Sequence, residues 1–311
     1  MGTESLHQMT AGRKLDRTLV SNGVILAMTP ERFGWLTASD PNRPHGELWE
    51  QFGAQGYLWL KGILDRSAVL AFRRRFFAAF TDAGLVAPGS DPTEGVYSGN
   101  PQGRQAVNRR LAEIVRWAAY EAFCLMVPIR DFYEEALGGP VYLHKRKLLR
   151  MTVPGDPSCT GAHYDLTYLR GGTDRVYTSW IPIGDAPVEM GGLVYLEGSD
   201  AWGRSMEAEY AARSADLLPD ERMRAYNKYT ASSGWITKDL PSLADRLAAR
   251  WLAADYEAGD MMIHSAYMIH AATVNEDAGN RMRLSTDIRY QLVADAIDGR
   301  WGRDWSPDDG L

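Results

Sequence analysis

Apolar positions along the chain change their spacing twice. Residues 1–45 carry no sustained period and end in the turn-rich stretch Asp40-Pro-Asn-Arg-Pro44, so they are expected to be irregular. From Glu47 the spacing is helical, and at Tyr57, Leu58 and Leu60 it becomes strand-like beside Gly56. Asp65 is placed to cap a helix over 66–82, whose apolar face is Val69, Leu70, Phe72, Phe76, Phe77 and Phe80 and whose end is marked by Gly84. Residues 86–104, rich in Gly, Pro, Ser and Asp, predict a loop. A second helical zone follows over 105–137, with Leu111, Ile114, Val115, Trp117, Ala118 and Phe123 as its stripe.

Beyond Pro140 the pattern shortens into β-rich runs separated by Gly, Asp and Pro: 141–151, 162–169, 176–183, 192–196, 260–264, 268–272 and 283–292. Several short strands with turn signals between them argue for a sandwich or a barrel. A helical insertion over about 205–250 interrupts the series, and nothing between 46 and 295 reads as a linker. The expectation is one domain over 46–295, mainly β with added helices, preceded by the irregular segment 1–45 and followed by a tail, 296–311.

Composition narrows the functional classes. With 311 residues, 45% apolar and 24% charged, the chain can bury a core without disulfide or metal support. Its net charge of −6, and the lack of a long basic stripe, argue against nucleic-acid binding, which rests on many cationic contacts to phosphate. The basic run Arg73 to Arg75 reads as the solvated side of its helix. Cys124 and Cys159 form neither a CxxC pair nor a zinc pattern, so a reducing, cytoplasmic setting is expected. No apolar run approaches the roughly 20 residues of a membrane span. The mildly apolar 19–28 is broken by Asn22 and Gly23 and does not read as a signal peptide. Oligomeric state is not legible.

One constellation carries chemistry. His163-Tyr164-Asp165 falls in an expected strand, where residues i and i+2 share a face, so imidazole and carboxylate converge. His270, in another strand-like run, can complete the two-His, one-carboxylate facial triad of non-haem Fe(II) oxygenases. That triad leaves positions for a chelating 2-keto acid and for O₂. His264, six residues before His270, is the rival third ligand and otherwise a hydrogen-bonded wall residue. His7, His45 and His144 lie in polar or basic sequence and are not expected to be ligands. The far carboxylate of a keto acid needs a cation, and a guanidinium fork suits it. Arg281, eleven residues past His270 across a polar turn, and Arg283, on the same strand face with Ser285 two further on, are both candidates.

The layout resembles the phytanoyl-CoA dioxygenase family of 2-oxoglutarate oxygenases. The matching pieces are Gly161-Ala-His-Tyr-Asp165, Trp180-Ile-Pro-Ile-Gly-Asp185, Gly191-Gly-Leu-Val-Tyr-Leu-Glu-Gly-Ser199, Gly259-Asp-Met-Met-Ile-His264, Ile269-His270, Asn275 and Arg281, with Gly56-Tyr-Leu-Trp-Leu-Lys-Gly62 at the start. The resemblance spans roughly 47–292. It implies a double-stranded β-helix, or jelly-roll, core, and iron on His163, Asp165 and His270. It also implies 2-oxoglutarate on Arg281 with Trp180 close by. The family often has a hydroxyl residue two after the distal His. Here that position is Ala272, leaving Thr273 or Ser285 to supply the hydroxyl.

The reading is an Fe(II)- and 2-oxoglutarate-dependent oxygenase that uses O₂ to hydroxylate or otherwise oxidise a small molecule, releasing succinate and CO₂. The alternative from another class is a jelly-roll protein that binds a metal or small ligand without oxidising it. Retention of Asp165 argues against a halogenase, which needs that position vacated for halide. Tyr226, Lys228, Tyr229, Trp235 and Lys238, within the insertion, read either as a lid over substrate or as packing on the barrel. Lys147 and Arg150 read as a solvated strand edge, with contact to co-substrate or substrate as the other reading.

Overall fold

The computed structural model describes residues 18–217, 221 and 234–307. Thirteen strands are described: β1 (Val20–Ser21), β2 (Val24–Ile25), β3 (Phe33–Trp35), β4 (Ala38–Ser39), β5 (Tyr57–Leu60), β6 (Val141–Leu143), β7 (Leu148–Thr152), β8 (Tyr177–Pro182), β9 (Leu193–Leu196), β10 (Trp251–Ala253), β11 (Met261–Ser265), β12 (His270–Ala272) and β13 (Arg283–Leu292). They form a seven-stranded sheet in the order β4-β5-β11-β8-β13-β6, with β7 also on β13, a four-stranded sheet in the order β12-β9-β10-β3, and a separate two-stranded sheet, β1-β2. This is the jelly-roll that the sequence pattern and the resemblance anticipate.

Strand β13 organises the larger sheet. Its first half pairs with β7, its second half with β6, and its other edge runs along β8 from Ser285 to Tyr290. Alternation then splits its side chains between two interiors. Leu284, Ile288 and Tyr290 face outward and pack with Phe72, Phe76, Phe123 and Phe132 of the helices covering that face. The inward side of the sheet and the smaller sheet enclose Trp180, Met262, Leu193, Tyr195, Leu252 and Tyr256.

The helix expected over 66–82 runs over Arg66–Ala78, and Asp65 accepts from the Ser67 N–H at 2.9 Å as its cap. Arg73 departs from the expectation of a solvated face. It is buried, and its guanidinium donates to the carbonyls of Thr93, Ile183, Glu94 and Met282 at 2.6, 2.9, 3.0 and 3.0 Å. It thereby pins a loop to two strand ends. The zone 105–137 is several short helices, among them Val107–Ile114, Ala118–Cys124 and Val127–Leu137. Trp117 and Met126 are extended N-cap residues, and Pro128 stands in the first turn of the last helix, which divides the run.

The boundary expected at residue 45 is not structural. Within the segment expected to be irregular, β3 pairs in parallel with β10 and β4 with β5, so both sheets draw a strand from it. These strands are only three and two residues long, too short to show a period. The tail is also built in: Trp301 is buried, and its backbone carbonyl accepts from the Arg146 N–H at 3.1 Å. The insertion begins earlier than expected, with a helix over Ser199–Arg213, and closes with one over Leu240–Leu247. His7, Tyr226, Lys228 and Tyr229 lie outside the described residues.

Phe76 is fully buried between Phe77 and Phe80, with ring centroids 5.1 and 5.2 Å away. Phe76→Ala is expected to destabilise the fold by about 3–5 kcal/mol, read as a lowered urea midpoint; an unchanged midpoint would contradict the packing described.

Candidate active site

His163 and Asp165 are delivered differently from the expectation. They do not lie in one continuous strand. His163 forms an isolated bridge with His270, each backbone N–H donating to the other's carbonyl at 3.0 and 2.9 Å. Asp165 sits two residues on, at the start of a short helix over Leu166–Leu169. The convergence foreseen from i, i+2 spacing is thus achieved by a bridge followed by a helical turn.

The three side chains are buried, and they are the described residues whose donor atoms cluster tightly enough to hold a metal ion. The Nε2 atoms of His163 and His270 stand 3.7 and 3.8 Å from Asp165 Oδ1. Each imidazole faces a backbone carbonyl through Nδ1, His163 to Gly161 and His270 to Met268, both at 2.9 Å. A carbonyl only accepts, so Nδ1 carries the proton and Nε2 presents its lone pair to the site. Gly161 matters here for space, since a Cβ at that position would lie 2.8 Å from the Trp235 ring.

The electrostatics suit a cation. Burial, reinforced by His163 and His264, holds His270 well below the ordinary imidazole range. Burial also lowers His163. For Asp165 burial by itself would raise the carboxyl, but Arg289 and the adjoining histidines outweigh it and hold the group well below the usual carboxylate range. Two neutral imidazoles and one carboxylate therefore share the centre, the nitrogen–oxygen donor set of a borderline divalent metal.

His264 stands one layer back. Its Nδ1 is 3.0 Å from the Tyr195 hydroxyl, and its Nε2 is 3.5 Å from Asp165 Oδ2 rather than toward Oδ1. It lines the same cavity but lies outside the tight group of three donors. His144 is bonded to Gln291 at 2.8 Å, and His45 lies 3.3 Å from Glu135, both away from the three clustered donors.

The two arginine candidates part company. Arg281 is half exposed and paired with Asp277 through Nη2 at 2.6 Å, outside the cavity that holds the histidines. The structure does not bring Arg281, which the resemblance implies as the 2-oxoglutarate anchor, together with the histidines. Asp277 lies four residues earlier in the same turn and captures it before it can reach inward. Arg283, the alternative, lines the cavity. It is buried, donates from Nη1 to Ser285 Oγ at 3.0 Å, and lies 5.8 Å from the Trp180 ring centroid. Burial lowers its pKa to about 10, so it stays cationic at neutral pH. Arg283 Nε and Trp180 Nε1 are buried with no partner among the described residues, donors that a polar ligand could satisfy. Thr273 and Ser285 are both buried just outside the cavity lining, Ala272 lines it, and Ser285 is the hydroxyl bonded to Arg283. Of the two expected hydroxyls, Ser285 is therefore the one beside the guanidinium.

The sequence reading passed over Thr178, Asp287 and Arg289, and set Arg150 on a solvated edge. All four line the cavity, with Arg150 ion-paired to Asp287. A signal was present: Arg283, Ser285, Asp287 and Arg289 recur every second residue along β13, a polar face on a strand whose other face is largely apolar.

A family profile described as Phytanoyl-CoA dioxygenase (PhyH) matches residues 52–283. The 1-deoxypentalenic acid 11-beta-hydroxylase of Streptomyces arenae is 24% identical over 249 residues, covering 77% of this chain and 78% of the relative. Among solved structures, the epimerase SnoN in complex with Fe³⁺, alpha ketoglutarate and nogalamycin RO superposes with a TM-score of 0.52 at 18% identity, over 83% of this chain and 87% of that one. The non-heme alpha ketoglutarate dependent carbocyclase SnoK from nogalamycin biosynthesis gives 0.52 at 17% identity, over 88% and 91%. These likenesses share the jelly-roll fold.

The histidine shifts set a pH dependence. The unfolded chain takes up protons near pH 6.5, while the buried imidazoles of His163 and His270 resist them, so metal-free protein loses stability as pH falls below that value. His270→Gln should remove part of this slope between pH 7 and 5 in chelator-treated melts; an identical slope would contradict the depressed imidazole.

Proposed function

The chain belongs to the phytanoyl-CoA dioxygenase family, and from that membership we propose how its residues divide the work. The protein is an Fe(II)- and 2-oxoglutarate-dependent oxygenase. His163, Asp165 and His270 would hold the iron; the observation that carries this is the convergence of two Nε2 lone pairs on Asp165 Oδ1 in a buried cavity. When bound, the iron supplies O₂ activation coupled to oxidation of 2-oxoglutarate to succinate and CO₂.

The remaining chemistry belongs to this chain. Arg283 and Ser285 take the far carboxylate of 2-oxoglutarate, the guanidinium offering charge and the hydroxyl a further donor. Trp180 walls that end with an apolar face. Cation and anion meet there in a buried setting, where a bidentate pairing is worth more than at the surface. The Nδ1–carbonyl bonds of His163 and His270 hold their ring orientation. Leu193 and Ala272 line the cavity beside the histidines with small or apolar side chains, which keeps water from competing there.

The substrate is a small molecule. The hydroxylase relative is named for a carboxylic acid, and SnoN is described with nogalamycin RO, so an organic secondary metabolite is the proposed class, with hydroxylation as the default outcome. Nucleic acid is an unsuitable partner for a chain of net charge −6. Among the described residues no helix is long and apolar enough to cross a membrane. The unpaired Cys124 and Cys159 support a reducing, cytoplasmic setting.

Anaerobic titration of Fe(II) and 2-oxoglutarate, followed by the visible charge-transfer band of the ternary complex, tests both assignments. His163→Ala, Asp165→Ala and His270→Ala are expected to lose the band, and His264→Ala to keep it. Arg283→Gln should weaken 2-oxoglutarate binding by about 100-fold or more, since it leaves a carboxylate in a buried site without its cation. Arg281→Gln should stay within a few-fold of the parent. The reverse order for the two arginines would return the anchor to Arg281.

A further inference from the structure

Of the two carboxylate oxygens of Asp165, it is Oδ1 that faces Nε2 of His163 and of His270. The other, Oδ2, is turned toward β8 and β13, where it accepts from the Thr178 hydroxyl and from Arg289 Nη2 at 3.0 Å. Arg289 is 3% exposed, and its Nε and Nη1 have no partner among the described residues. A buried guanidinium with one hydrogen-bonded nitrogen pays heavily in lost hydration. Its place must be enforced by packing, and Trp301 supplies that: the Arg289 guanidinium carbon lies 4.4 Å from the Trp301 ring centroid.

Trp301 is itself fixed. It closes the short helical turn Gly299–Trp301, which Asp298 caps by accepting from the Arg300 N–H at 3.0 Å. Its Nε1 donates to the Tyr168 carbonyl at 3.2 Å, and the Gly171 N–H donates to Asp298 Oδ2 at 3.0 Å. The C-terminal turn is thus latched to the segment that carries Asp165.

We propose that Arg289, braced by Trp301, is a positioning residue that engages Asp165 Oδ2 and so reserves Oδ1 as the single oxygen offered to the metal. The inference rests on the reading of His163, Asp165 and His270 as ligands, and it makes the C-terminal turn a structural part of the metal site. A carboxylate with both oxygens free can close on a cation through both; with Oδ2 held by a charged donor, the second position stays available to the co-substrate. Thr178 contributes a neutral bond to the same oxygen and His264 Nε2 stands 3.5 Å from it, while Arg289 brings the guanidinium charge.

Co(II) serves as the probe, in protein stripped of metal under anaerobic conditions, with affinity and the visible ligand-field spectrum as readouts. Loss of an outer partner of this kind costs about 10- to 100-fold in metal affinity. Arg289→Gln is expected to bind Co(II) that much more weakly, with a changed spectrum. Arg289→Lys should recover part of the affinity. Trp301→Leu should weaken binding several-fold in the same direction, and it tests the brace should Arg289→Gln fail to fold. Melting of each metal-free variant separates a general loss of structure from an effect on the site. Parent-like affinity and spectrum in Arg289→Gln, or in Trp301→Leu where the former does not fold, overturn the proposal. If His163→Ala and His270→Ala abolish Co(II) binding in the same series, the ligand assignment survives that failure. If they too bind like the parent, both readings fall together.

Discussion

Strand β13 has to satisfy two interiors at once. Ten residues long and paired along both edges, it cannot shift register without exchanging its faces. Leu284, Ile288 and Tyr290 belong to the apolar cluster under the helices, while Arg283, Asp287 and Arg289 line the cavity. A slip by one residue would bury the arginines against Phe76 and Phe132 and turn leucine and isoleucine toward the donors. The burial of the outer face therefore fixes the positions of the polar groups on the inner one, and the site inherits its accuracy from the core.

The cavity concentrates charge that would be costly elsewhere. Arg150 and Asp287 offset one another, Arg289 is engaged by Asp165, and Arg283 bonds only a hydroxyl. Of these three arginines, Arg283 is the one without a carboxylate partner among the described residues. The clustered donors include two imidazoles kept neutral by burial, so metal binding need not displace protons from them at neutral pH.

Around this centre, short-range geometry sets each ligand. The reciprocal backbone bonds between His163 and His270 join two segments more than a hundred residues apart in the chain. The backbone carbonyls of Gly161 and Met268 choose the tautomers. The C-terminal turn, expected to be a bare tail, is latched by Asp298 and Trp301 to the segment after Asp165.

The chemistry-bearing residues were legible because residue type and spacing are local properties. His163 and Asp165 could be paired from their i, i+2 spacing, His270 was set above its rival His264 by the family resemblance, and the strand-rich second half followed from alternation with turn residues between runs. Tertiary structure decided what depends on competition between partners. Arg281 and Arg283 share a strand face in the sequence pattern, yet Asp277 reaches Arg281 first, and only Arg283 is carried past the turn into the cavity. Arg73 looked solvated because helical periodicity cannot foresee a loop folding back to offer it carbonyls. The N-terminal strands are two or three residues long and gain their conformation from pairing, not from their own pattern. Periodicity records which face a segment hides; which distant group meets that face is set only when the whole chain is packed.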